Sequence, residues 1–226
     1  MVAGQGLIRL LQRRSRPYIS CFTNAPSEGD SDASSILIVD GQAVFDLILT
    51  RVAAKRLESD SAVADCLYLM TCRFMVGLKR CGLRIVAVLP ASFADVGSLE
   101  DAGSEPNRRA AFCKALGDLQ LETRWSSGSH HHLILDIYRT NRAEVEAVLT
   151  SDAGYFVYGV RSICLVDEVL VDRDSTTLVK WDSGECWRAW QSLAEGQICD
   201  LNTVERAQVA VLLGVRVPSA DGEGSA

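Results

Sequence analysis

Ile36-Leu37-Ile38-Val39-Asp40-Gly41-Gln42-Ala43-Val44-Phe45 is the stretch from which the fold is read. Its four leading apolar residues are too few and too uniform for an amphipathic helix. They suit a strand buried on both faces, as in a parallel sheet. Helical spacing then follows through Val44, Leu47, Ile48 and Val52. Asp40 stands at the junction. A carboxylate at the end of a buried strand is a typical metal or acid–base position, because ligands of open α/β sheets bind at the carboxyl ends of strands. The same carboxylate is also placed to cap the helix that follows, through its backbone N–H groups.

The alternation continues along the chain. A helix is expected from about Ser61 to Cys81, with Ala64, Leu67, Met70, Phe74 and Leu78 on one side and Gly82 as its stop. Arg84 to Leu89 reads as a second buried strand ended by Pro90. Residues 91–107 read as irregular, Asn107–Leu121 as a helix, and Trp125–Ser129 as a loop leading to His130-His131-His132 and a short helix ending near Arg139. Val145–Leu149, Phe156–Tyr158 and Ile163–Val166 are strand-like. Helices are expected at 6–11, 185–193 and 203–213. Strands alternating with helices predict an α/β fold with a mainly parallel central sheet. One domain over 1–218 is expected, with a flexible loop near 24–35 and a disordered tail over 219–226. No internal repeat is present.

Composition narrows the function. A net charge of −6 argues against a general nucleic-acid coat, though not against a local basic groove. The eight cysteines form no C-x-x-C pair and lie mostly in apolar segments, as expected of reduced, buried thiols in an intracellular protein. Nuclear or cytoplasmic localisation follows, with the mitochondrion as alternative, because residues 1–27 carry Arg9, Arg13, Arg14 and Arg16 and no acid. No apolar run reads as long enough to span a membrane, so no membrane association is expected.

A second aspartate, Asp152, lies in Thr150-Ser151-Asp152-Ala153-Gly154-Tyr155-Phe156. Together with Ala3-Gly4-Gln5-Gly6-Leu7, Val39-Asp40-Gly41, the strand Ile85–Leu89 and Val211-Leu212-Leu213-Gly214, it stands in an order that resembles the flap-endonuclease/XPG superfamily of PIN-like nucleases, most closely its Asteroid branch. The resemblance implies a PIN-like three-layer fold over nearly the whole chain and, for an active member, phosphodiester hydrolysis with Mg²⁺ or Mn²⁺. It assigns catalysis and metal binding to Asp40 and Asp152. The departures bear on that chemistry. Pro90 stands where the family has an aspartate after its second strand. Ser129-His130-His131-His132 occupies the region of its acidic cluster. Gly154 replaces the second aspartate of Asp-x-Asp, and Val215-Arg216 the one after Leu-Leu-Gly.

Two-metal hydrolysis holds its ions about 3.5–4 Å apart, and hard divalent ions need several convergent oxygen ligands. Two aspartates are too few, so no cofactor is expected. Asp95, Glu100 and Asp101 are the loop acids that a divergent nuclease has to recruit. Asp152 has an alternative as a turn former. The histidines suit Zn, Ni or Cu rather than Mg. Residues 130 and 132 align only on an extended segment, no ligand stands at a zinc-motif spacing, and a solvated or helix-start role is the simpler one. Nucleic-acid contact falls to Lys79 and Arg80 with Arg84, and to Arg108 and Arg109 with Lys114, each pair being otherwise a solvated helix face. Trp125, Trp181, Trp187 and Trp190 suit core packing, stacking or a partner surface. The resulting expectation is a catalytically inactive domain acting as a binding or scaffold component of an RNA-related or other assembly. Its partners are proteins, with RNA or DNA through local basic patches. The alternative is a divergent Mg/Mn-dependent structure-specific nuclease.

Overall fold

A computed structural model describes residues 18–23 (as backbone only), 35–94 and 104–184. The expected helices at 6–11, 185–193 and 203–213, the loop over 24–34, the acids Asp95, Glu100 and Asp101, Trp187, Trp190 and the tail lie outside the described residues.

The strands are β1 (Tyr18–Thr23), β2 (Ile36–Asp40), β3 (Arg84–Pro90), β4 (Glu122–Ser126), β5 (Val145–Thr150), β6 (Ser162–Leu165), β7 (Leu170–Val171) and β8 (Ser175–Asp182). The helices are α1 (Gly41–Ala53), α2 (Asp60–Lys79), α3 (Ser104–Asp118) and α4 (His130–Thr140), with short 3₁₀ turns at Ala91–Phe93, Ala153–Tyr158 and Val166–Glu168. The sheet order is β1-β8-β6-β5-β2-β3-β4, with β7 paired to β8. β2 runs parallel to both β3 and β5, and β3 parallel to β4. This is the predicted α/β architecture with a mainly parallel sheet.

Two compact units share the chain. Ile19–Ser151 with Cys164–Lys180 form the larger; Asp152–Ile163 belongs to the smaller, together with residues 181–184. In the larger unit, period-two alternation divides β2 between two layers. Leu37 and Val39 join the cluster that holds Val44, Ile48, Leu67, Phe74 and Phe112 from α1, α2 and α3. Ile36, Ile38 and Asp40 point to the other face, where α4 packs on β2, β3 and β4. Phe45, Phe93 and Phe112 meet edge to face, with ring centroids 5.0–6.0 Å apart.

β2 and α1 fall where the sequence places them, and so does the stop of α2. Gly82 adopts a φ of 71° there, in the left-handed region glycine favours. Four local readings need correction. Phe156–Tyr158 is 3₁₀ rather than strand: Asp152 starts the turn by accepting the Gly154 N–H at 2.7 Å, and Gly159 ends it at a φ of 84°. These local hydrogen bonds outweigh the aromatic strand preference. Glu122–Ser126, of which the sequence reading assigned only Trp125 and Ser126, to a loop, is β4. It closes one end of the sheet order, so a polar strand is tolerated and no apolar run advertises it. The segment 91–107 holds a 3₁₀ turn and the start of α3. β1, β7 and β8 were unforeseen, although Thr176-Thr177-Leu178-Val179 carries β-branched character.

α2 also corrects the statement about apolar runs. By length and composition alone, Asp60–Lys79 is long and apolar enough to cross a membrane. It nevertheless carries Asp60, Asp65, Arg73 and Lys79, and it packs Leu67, Phe74, Met75 and Leu78 against its neighbours in the larger unit as a core helix does.

Cys66, Cys72, Cys81, Cys113 and Cys164 are free thiols. Burial pushes the Cys81 and Cys164 thiols up to about 12, and Cys113 to about 11. Since the thiolate is the nucleophile, a rise from 9.0 to about 12 lowers the reactive fraction of Cys81 and Cys164 at neutral pH about a thousandfold. In N-ethylmaleimide labelling of the folded protein read by peptide mass mapping, Cys81 and Cys164 are expected to stay unmodified while Cys72 reacts. Equal rates for all three contradict the burial.

Candidate functional site

β2 lies between β3 and β5 in the sheet. The chain moves from β2 to β3 to β4 and then returns to β5 on the other side of β2. The carboxyl end of β2 is therefore the switch point at which open α/β sheets form a crevice. Asp40 ends the strand there and is 3% exposed. Its Oδ1 accepts the Ala43 N–H at 3.2 Å, capping α1. Its Oδ2 accepts the Thr150 hydroxyl at 3.0 Å. The register that pairs Val39 with Leu149 brings Thr150, the last residue of β5, alongside.

The third neighbour is His130, the first residue of α4, with Nε2 3.5 Å from Asp40 Oδ1. Its ring stacks on that of His131, centroids 4.0 Å apart. Asp40, His130 and His131 each offer a ligand atom, and these atoms lie within 4.8 Å of one another. His130 is held below its ordinary range chiefly by withdrawal from solvent, opposed by the Asp40 charge. The Asp46 carboxyl, one helical turn along α1, is raised by desolvation. The Gln42 amide, which donates to it at 2.8 Å, and the Arg109 charge act against that shift.

The aspartate–histidine contact was not read from the sequence. The alignment of residues 130 and 132 was considered on an extended segment; in the helix it is 130 and 131 that converge, and His132 is exposed. Asp40 lies 90 positions before His130, so no local spacing links them. The available signals were the alternation that puts Asp40 on the face of Ile36 and Ile38, and the helix start at His130.

Asp152 belongs to the smaller unit. There its Oδ1 holds the Gly154 N–H, and a Cβ added at Gly154 stands 2.8 Å from the same oxygen. The basic candidates separate. α2 feeds the amino end of β3, so Lys79 and Arg80 sit at the sheet edge opposite Asp40. Lys79 donates to the Leu119 carbonyl at 3.2 Å and Arg80 to the Arg173 carbonyl at 2.8 Å. Arg108 and Arg109 lie near the start of α3, which follows the carboxyl end of β3. Arg108 pairs with Asp60 at 3.1 Å. Arg109 pairs with Glu105, donates to the Ser92 carbonyl at 3.0 Å and covers the Phe93 ring at 5.4 Å. All four are engaged within the protein. Trp125 is 46% exposed on β4, whereas Trp181 is buried at 3%.

The donor set does not fit the pair of Mg²⁺ ions that the family resemblance implies. Among the described residues of the larger unit, one carboxylate and two imidazoles converge at the switch point, too few oxygen donors for hard divalent ions. Pro90 and Thr150 end the flanking strands, where further acids are required.

No protein-family model and no curated protein matches the chain. It is similar to several solved structures. One is the Holliday junction-resolving enzyme GEN1 in complex with product DNA and Mg²⁺, at 10% identity and a TM-score of 0.47, covering 79% of this chain and 40% of that one. A second is human GEN1 in complex with Holliday junction DNA, at 11% and 0.49, covering 94% and 56%. A third is the catalytic core of Rad2 in complex with a DNA substrate, at 12% and 0.44, covering 80% and 62%. The chain thus spans between 40% and 62% of the length of these structures. None of the three singles out the Asteroid branch; at such identities the likeness concerns the fold alone, an α/β architecture that rests here on the chain's own strand pairing.

Proposed function

We propose that this chain is a nuclease-like domain that does not hydrolyse phosphodiesters by the two-metal route and acts instead as a binding or scaffold component of a macromolecular assembly. One observation carries the reading. The Asp40 carboxylate faces imidazoles rather than the further acids that a two-metal site requires. The engagement of Lys79, Arg80, Arg108 and Arg109 within the protein supports protein partners first, with RNA or DNA bound weakly and in a salt-sensitive manner. Placement in the Asteroid branch and an RNA-related assembly belong to the same proposal and rest on the sequence resemblance.

The full chain, incubated with flap DNA, a four-way junction and structured RNA in Mg²⁺ or Mn²⁺, is expected to leave all three intact beyond a metal-free control. Metal-dependent cleavage that disappears in Asp152→Asn restores the alternative, a divergent nuclease that uses Asp40, Asp152 and a loop acid. Affinity purification from nuclease-treated and untreated lysates then separates direct partners from nucleic-acid-bridged ones.

A further inference from the structure

We infer that Asp40, His130 and His131 form a three-ligand site for a borderline divalent transition-metal ion of the Zn²⁺ class, where the family resemblance implies hard Mg²⁺. The donor chemistry comes first. Imidazole nitrogen ranks zinc, cobalt and nickel far above magnesium, and two imidazoles with one carboxylate leave one position of a tetrahedral ion open. Spacing comes second. Ligand atoms bound at about 2.1 Å around a tetrahedral ion are about 3.4 Å apart; His130 Nε2 and Asp40 Oδ1 stand 3.5 Å apart. A ligand atom of His131 lies within 4.8 Å of one from each of the other two residues.

The supporting shell comes third. Metal-binding carboxylates are usually aimed by hydrogen bonds from behind. Ala43 N–H and the Thr150 hydroxyl aim this one, and an ionised carboxylate that accepts two such bonds retains free lone pairs. The ligands also stand on rigid elements, at the β2–α1 junction and the first turn of α4, rather than on a loop. Opposing these terms, the N-termini of α1 and α4 both present partial positive charge. The competing role of the cluster is a plain hydrogen-bonded neighbour for a buried carboxylate, which takes up no metal.

The site rests on this geometry and not on the scaffold reading. Absence of metal binding leaves that reading standing, and phosphodiester cleavage leaves the site standing. The test uses tag-free, reduced full-length protein titrated with Co²⁺ and with Zn²⁺. Expected are one visible d–d spectrum without a near-ultraviolet thiolate charge-transfer band, Zn²⁺ displacing Co²⁺ at one equivalent, and no displacement by a large excess of Mg²⁺. His130→Gln and His131→Gln are each expected to weaken binding at least tenfold, whereas His132→Gln, on the exposed face, leaves it unchanged. Zn²⁺ is expected to raise the Tm of the natural chain but not that of the two variants. Absence of a cobalt spectrum, a thiolate band, displacement by Mg²⁺, or equal affinity in His130→Gln and His131→Gln overturns the inference.

Discussion

Gly41→Ala is expected to lower stability by about 2–3 kcal/mol, toward the upper end of core overpacking. Gly41 opens α1 immediately after Asp40. A Cβ there stands 2.2 Å from Leu89 Cδ2 and 2.8 Å from the Val88 carbonyl oxygen. Leu89 is fully buried, so its side chain has no free volume to enter. The Val88 carbonyl belongs to β3, whose pairing holds Val88 opposite Asp40. Relief therefore requires α1 to lift from the sheet. The gain from replacing glycine in a helix, about 0.5–1 kcal/mol, offsets part of the cost. Gly117→Ala isolates that gain: Gly117 lies in α3 with nothing within 4 Å of an added Cβ, and stabilisation is expected. Urea denaturation of both variants measures the difference. A Gly41→Ala protein as stable as the natural one shows that the helix does not sit this close to β3.

Asp40→Ala is expected to cost about 2–3 kcal/mol. Loss of an N-cap side chain accounts for about 1 kcal/mol. Loss of a charged acceptor from the buried Thr150 hydroxyl adds about 1.5–3 kcal/mol, and the relief of no longer burying a carboxylate subtracts from the sum. Asp40→Asn keeps a capping oxygen and is expected to lose less than half as much. In a double-mutant cycle with Thr150→Val, a coupling of about 1–2 kcal/mol is expected between the two positions. Additivity within about 0.3 kcal/mol separates the carboxylate from Thr150 and removes the structural role assigned to their contact.

The two substitutions show how local and non-local information divide along Val39-Asp40-Gly41. That β2 is buried on both faces, that a helix follows, and that Asp40 lies at the carboxyl end of a parallel strand were all legible, because each depends on residues within a few positions. The 3₁₀ turn over Ala153–Tyr158 was misread as strand, since aromatic residues favour strands and the deciding Asp152–Gly154 hydrogen bond competes at short range. β4 was hidden for the opposite reason: an edge strand needs no apolar run, and Glu122-Thr123-Arg124-Trp125-Ser126 shows none.

The cap on α1 was legible at Asp40, but its partners from outside the β2–α1 junction belonged to tertiary structure alone. Sequence reading placed His130–His132 where acids were expected and identified what was missing from a Mg²⁺ site. It did not place an imidazole beside Asp40, because the strand order sets β5 against β2 and carries α4 across the sheet face that Asp40 shares with Ile36 and Ile38. The same crossing decided that His130 and His131, not His132, face the carboxylate. From the sequence alone came the elements, their alternation and the departures at Pro90 and Gly154, since periodicity and turn chemistry act over a few residues. The Thr150 and His130 partners of Asp40 came only with the fold, since strand order joins residues 90 or more positions apart and no local pattern encodes that contact.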